Sequence, residues 1–139
     1  MATLTELKTL ALIRLKEAQA LYNNGYYEGA YYVGGYAVEL GLKAAICKNL
    51  NVNIFDRKEV SGSCLKAFLT HDLSDLTVLA GLKPELNILI KEINSFNITW
   101  SIVSDWNEQR RYQSGCPGQK AKIFLDSVNI VMIWIKQHW

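Results

Sequence analysis

The stretch GGYAVELGLKAA, residues 34–45, decides the fold because it has the character of a helix while carrying three glycines. Gly34, Ala37, Gly41 and Ala45 recur at spacings of three and four, which places them on one stripe of a helix. Each glycine inside a helix costs up to about 1 kcal/mol relative to alanine. Small side chains let a neighbouring helix approach closely, and the burial gained can offset that cost. We therefore expect this helix to pack tightly against another one.

Helical periodicity on both sides of this stretch predicts an all-α fold, an up-and-down bundle of four or five helices that forms one domain over residues 1–139. Apolar residues at spacings of three and four predict the main helices, which are 4–22, 27–48, 84–96 and a last one from Ala121 to Trp139. Two polar or aromatic stretches, residues 49–62 and 97–118, are interpreted as irregular connections.

Capping and stop signals mark the ends of these helices. Thr3 or Thr5 can cap the first helix, and the stretch NNGYY, residues 23–27, contains residues that end one. A short helical piece follows in SCLKAFL, residues 63–69. Thr70, Asp72 or Ser74 can cap the helix that comes next. Gly81 can end that helix, and Pro84 suits the first turn of the one after it.

Composition and charge exclude several function classes. The net charge of +2 is too small to imply strong nonspecific binding to nucleic acid. Cys47, Cys64 and Cys116 are widely spaced and form no zinc motif, so we expect reduced thiols, a cytoplasmic protein, and no metal or cofactor. The apolar run at 128–135 is too short to cross a bilayer, and the N-terminus lacks a signal-peptide core, so no membrane association is expected.

Glu39 and Lys43 form the first candidate constellation. They stand four residues apart with the acid first, which is the favourable order for an ion pair on a helix. Such a pair can be solvated and contribute only a few tenths of a kcal/mol. Alternatively, it can be a partly buried polar spot that faces a cleft, where apolar neighbours strengthen the interaction.

The dipeptide His71–Asp72 is the second constellation. A histidine beside an aspartate can be half of a general-base arrangement. No motif for a nucleophile accompanies it, however, and Asp72 is well placed to cap the following helix. The two interpretations are a surface histidine beside a cap and a proton-transfer group.

The stretch WNEQRRY, residues 106–112, combines aromatic and basic side chains. Arg110 and Arg111 can bind a phosphate, while Trp106 and Tyr112 can stack on a base or shape a pocket. The alternative is structural, with one arginine paired to an acid such as Glu39 and the aromatic rings in the core. The glycines of the second helix follow no strand and precede no Lys-Ser pair, so they do not form a phosphate-binding P-loop.

Three segments in this order resemble the HEPN domain, the higher-eukaryote and prokaryote nucleotide-binding family. The segments are YNNGYYEGAYYVGGYAVELGLKAAI at 22–46, HDLSDLTVLAGL at 71–82, and WNEQRRY with the final apolar helix. The resemblance implies a helical bundle related to the C-terminal domain of aminoglycoside nucleotidyltransferases. It also implies a homodimer with a cleft at its interface and, for many members, pairing with a minimal nucleotidyltransferase in a toxin–antitoxin or defence system.

Catalytic HEPN members are metal-independent RNases that use an arginine followed, after a gap of four to six residues, by a histidine. Here residues 112–117 follow Arg111 without a histidine. We therefore expect a protein that binds nucleotide or RNA phosphate, or docks a nucleotidyltransferase, and that does not itself cleave RNA or nucleotide. The residues expected at that site are Glu39, Lys43, Trp106, Arg110, Arg111 and Tyr112. The alternatives are a divergent RNase that uses Arg111 with His71, and a structural docking subunit.

Overall fold

Seven α-helices and one 3-10 helix make up the computed structural model, which describes residues 2–139 and contains no strand among them. The helices are α1 Leu4–Asn23, α2 Tyr27–Leu50, α3 Gly62–Lys66, α4 Leu73–Leu79, α5 Lys83–Glu92, α6 Asn94–Ser104, the 3-10 helix Glu108–Tyr112, and α7 Gly118–Lys136. The predicted all-α bundle is confirmed. Its α-helices number seven rather than four or five, because α3, α4 and α6 are separate short elements.

Helix α2 is the centre of the structure. It contacts α1, α4, α7 and the 3-10 helix, and every residue from 37 to 47 except Lys43 is buried. Helices that are buried on all sides lack a polar face, so their sequence is apolar around the whole circumference. Glu39 is the acidic residue within this buried run, and it therefore requires partners that compensate its charge.

Glycines in α2 provide the close approach that the sequence predicts. A Cβ atom at Gly34 would lie 2.7 Å from a methyl group of Leu125, and one at Gly41 would lie 3.2 Å from Ile135, both on α7. At Gly35 the added atom would lie 2.3 Å from the indole ring of Trp106. The small residues thus admit α7 on one side and a tryptophan on another, as the prediction of tight helix packing requires.

Several predicted helix boundaries are confirmed by local contacts. The Thr3 hydroxyl accepts a hydrogen bond from the Glu6 N–H, and the Glu6 carboxylate accepts one from the Thr3 N–H, which forms a capping box. The Asp72 side chain caps α4 by accepting from the Asp75 N–H. Gly81 follows α4 with φ at +73°, a left-handed conformation that glycine adopts without strain.

The predicted single helix at 84–96 and the irregular connection at 97–118 are wrong in part. The chain is extended at Ile93, which separates α5 from α6, and α6 occupies residues 94–104 of the two predicted segments. Helix α6 has no side-chain cap and contains isoleucine, threonine and valine, which are weak helix formers. Packing stabilises it instead, since the rings of Trp100 and Trp134 meet edge to face at 6.5 Å.

Three further findings concern membrane-spanning helices, metal sites and cysteines. Among residues 2–139, none of the helices combines the length and the apolar character that crossing a bilayer requires. The same residues contain no group of three or more His, Cys, Asp or Glu side chains arranged to hold a metal ion. Cys47, Cys64 and Cys116 are free thiols, and burial raises the pKa of the Cys47 thiol.

Candidate functional site

Glu39 lies at the base of the candidate site and is paired on both sides. Its side chain is only 2% exposed, and its Oε2 atom accepts a hydrogen bond from Lys43 Nζ at 3.1 Å. Its Oε1 atom lies 2.9 Å from His71 Nδ1. Of the two interpretations of the Glu39–Lys43 pair, the structure therefore shows the buried one, in which the carboxylate also contacts the histidine.

His71 lies at the surface and contacts the buried Glu39 carboxylate. It directly precedes the Asp72 cap of α4, and its side chain is 53% exposed. An ionised carboxylate only accepts hydrogen bonds, so Nδ1 must carry the hydrogen that Glu39 receives. In the tautomer that makes this bond, Nε2 is the ring nitrogen without a hydrogen, and no hydrogen bond within residues 2–139 engages that atom.

A cavity of about 260 Å³ opens beside this pair. Its aromatic walls come from α2 and from the segment after α6, since the rings of Tyr32 and Tyr36 are parallel at 6.4 Å and the Tyr32 and Trp106 rings are 6.1 Å apart. The residues that line the cavity are Tyr32, Tyr36, Glu39, His71, Trp106, Glu108 and Arg111. It therefore combines ring faces with one histidine, one arginine and two carboxylates.

The two adjacent arginines have different surroundings. Arg111 lines the cavity, its guanidinium lies 4.8 Å from the centre of the Tyr112 ring, and it forms no ion pair within residues 2–139. The Nη1 atom of Arg110 instead lies 3.5 Å from Glu28 Oε1. The centre of its guanidinium group lies 4.0 Å from the centre of the Tyr31 ring, over which it stacks. Arg111 is thus the cation available to a ligand of the cavity, while Arg110 connects the 3-10 helix to the start of α2.

Most of the residues proposed from the sequence meet at this cavity. Glu39, Trp106 and Arg111 line it together with His71, whereas Lys43 contacts Glu39 but does not line the cavity. Two more sequence candidates also lie outside the lining. Arg110 stacks on the ring of Tyr31, and Tyr112 is a residue with 72% of its surface exposed.

Three lining residues were not proposed from the sequence. Tyr32 and Tyr36 precede Glu39 by seven and three residues, so they share its helix face, which was the available signal. Glu108 lies within the stretch WNEQRRY, but the prediction for that stretch rests on its basic and aromatic residues.

Burial and the charge of Glu39 both act on the pKa of Tyr36. Burial raises the pKa of the Tyr36 hydroxyl, and the negative charge of Glu39 raises it further. Tyr36 therefore stays a neutral phenol at neutral pH and can donate a hydrogen bond into the cavity. Together with Arg111 it supplies donors for an anion, while His71 Nε2 supplies a proton acceptor.

Comparison with known proteins finds no matching family model, no similar curated protein and no similar solved structure.

Proposed function

We propose that this cavity binds a phosphate-bearing nucleotide or a segment of RNA, and that the protein is a HEPN-type helical domain of the cytoplasm. The proposal combines the sequence resemblance with the geometry of the cavity. Arg111 contacts the phosphate, Tyr32 and Tyr36 stack on the nucleobase, Trp106 encloses it, and Glu39 orients His71 beside the cavity.

The single observation that supports this function best is the position of Arg111. An arginine without a carboxylate partner stands at a cavity whose lining also contains tyrosine and tryptophan rings, one histidine and two carboxylates. Guanidinium groups bind phosphate through two parallel hydrogen bonds, and aromatic faces bind bases by stacking. The surroundings of Arg110 support a structural role for it, so Arg111 is the phosphate-binding arginine in this proposal.

Replacement of Arg111 by alanine is expected to weaken binding of nucleoside 5′-monophosphates by at least about tenfold, since hydrogen bonds to charged groups contribute roughly 1.5–3 kcal/mol. Binding can be followed through the fluorescence of the four tryptophans, one of which lines the cavity. Arg57→Ala is the matched control because it removes the same charge from an exposed loop position. Equal affinities for Arg111→Ala, Arg57→Ala and the unchanged protein would contradict the proposal.

A second candidate function, metal-independent RNA cleavage, is favoured by the contact between Glu39 and His71. The carboxylate holds Nδ1 as the donor, so Nε2 can accept the proton of a ribose 2′-hydroxyl. The 2′-oxygen would then bond to phosphorus while the bond to the 5′-oxygen breaks, and the leaving oxygen takes a proton from solvent. Arg111 would stabilise the negative charge on the phosphate.

If cleavage occurs, His71→Ala is expected to slow it by about two to four orders of magnitude, the usual contribution of a general base. The assay uses labelled single-stranded RNA in the presence of EDTA. His138→Ala is the matched control, because that histidine pairs with Glu85 at 2.9 Å and does not line the cavity. Absence of cleavage, or cleavage that survives His71→Ala, rules this candidate out.

Assembly is a further part of the proposal. From the family resemblance we propose a homodimer and a minimal nucleotidyltransferase partner in a toxin–antitoxin or defence pair. Large apolar side chains on the surface support a docking role, among them Val78, Ile88, Ile98 and Ile133, each more than half exposed. A single-subunit mass in light scattering at micromolar concentration would contradict the dimer.

A further inference from the structure

One carboxylate oxygen of the cavity has no hydrogen-bond donor. The Oε2 atom of Glu108 is buried and unpartnered, although the side chain as a whole is 36% exposed. Its nearest candidate donor is His71 Nδ1 at 3.4 Å. That nitrogen carries one hydrogen, and Glu39 lies closer to it at 2.9 Å. Glu108 is therefore left as an acceptor without a donor.

The lining also contains an unpartnered donor. The Nε1 atom of Trp106 is buried and makes no hydrogen bond within residues 2–139. Buried polar groups without partners are costly, and a ligand that supplies the missing partners gains affinity and selectivity from them. A suitable ligand must therefore offer donors to Glu108 and an acceptor to Trp106, and its body must fit between aromatic faces.

We propose that Glu108 makes the site selective for guanine, an inference that rests on the nucleotide-binding function proposed above. The Watson–Crick edge of guanine presents two adjacent donors, N1–H and the 2-amino group, which match the two oxygens of one carboxylate. The neighbouring O6 atom is an acceptor for the Trp106 N–H. Bases whose edges are free are commonly bound in this way, by stacking together with hydrogen bonds.

The other three bases do not match this arrangement. Adenine and cytosine each place a ring-nitrogen acceptor beside their single amino group, so one oxygen of a carboxylate would face a lone pair. Uracil places one N–H between two acceptors. The cavity volume of about 260 Å³ lies slightly below the roughly 300 Å³ at which pockets for drug-sized ligands begin, so the enclosed part of a bound nucleotide would be its base.

The test compares the affinities of GMP, AMP, CMP, UMP and inosine 5′-monophosphate for the unchanged protein. GMP is expected to bind at least about tenfold more tightly than the others, including inosine monophosphate, which lacks only the 2-amino donor. In Glu108→Gln this preference is expected to vanish while a monophosphate still binds. Glu92→Gln, the same change at an exposed position, is expected to keep it.

The outcomes separate this inference from the function on which it rests. Equal binding of all five nucleotides by the unchanged protein, or a guanine preference that survives Glu108→Gln, overturns the role of Glu108 alone. Binding of none of the five overturns the nucleotide-binding function and the guanine selectivity together. The inosine comparison uses the unchanged protein, so it does not depend on whether the variant folds.

Discussion

Replacement of Gly35 by alanine is expected to lower the free energy of unfolding by about 3 kcal/mol, the upper end of the usual cost of overpacking. The added Cβ would lie 2.3 Å from three atoms of the Trp106 ring, a distance at which the ring must move. Tryptophan is rigid and this one is 2% exposed, so it has little room to move within the packed core. Its displacement would also remove one aromatic wall of the cavity.

Urea denaturation measures this loss, and nucleotide titration of the folded variant measures the damage to the site. Gly62→Ala is the control, because no atom lies within 4 Å of its added methyl group and its φ is not left-handed. Alanine there is expected to leave stability unchanged or to raise it by about 0.4–1 kcal/mol. If the Gly35→Ala protein were as stable as Gly62→Ala, the packing of the Trp106 ring would not require a glycine at position 35, and the prediction would be wrong.

Removal of the Glu39 carboxylate by alanine is expected to destabilise the fold by about 3–5 kcal/mol, as found for buried ion pairs that lose one partner. Lys43, whose side chain is 13% exposed, would keep its positive charge without the carboxylate it now contacts. His71 would lose the acceptor that orients Nδ1. The variant would therefore lose stability and the orientation of the histidine together.

Thermal and urea unfolding at neutral pH measure the effect, with Glu17→Ala as the control. Glu17 pairs with Arg14 at 2.7 Å on the exposed side of α1, where a salt bridge contributes roughly 0–1 kcal/mol. The comparison therefore isolates burial, since both substitutions remove a paired glutamate from a helix. Similar losses for the two variants would contradict the account of Glu39 as a buried, charge-compensating residue.

The fold was largely predictable because its main signals are local. Helical periodicity, the capping box at Thr3 and the turn at Gly81 depend on residues close together in the chain. Helix α6 escaped prediction because its stability comes from contacts such as that of Trp100 with Trp134, between residues far apart in sequence. Weak helix formers without a cap give no local sign of such packing.

The candidate site was predictable in its residue types more than in its geometry. Arg110 and Arg111 are equivalent in the sequence, but successive residues of a 3-10 helix point about 120° apart, so only one of them reaches the cavity. The pairing of Glu39 with His71 joins residues thirty-two positions apart, and no local rule predicts it. The ion pair with Lys43 was predictable because it follows from helix spacing alone.

The two sides of the cavity differ in how firmly the core holds them. Glu39 belongs to the buried part of α2, whereas Glu108 and Arg111 stand on a 3-10 helix that contributes no buried residue. Segments with few buried contacts open at a lower free energy than the whole fold, so the amide hydrogens of residues 108–112 are expected to exchange with deuterium faster than those of 37–47. A ligand that contacts both sides must be released before the 3-10 helix opens. Its occupancy is therefore expected to appear first as slower exchange in that helix.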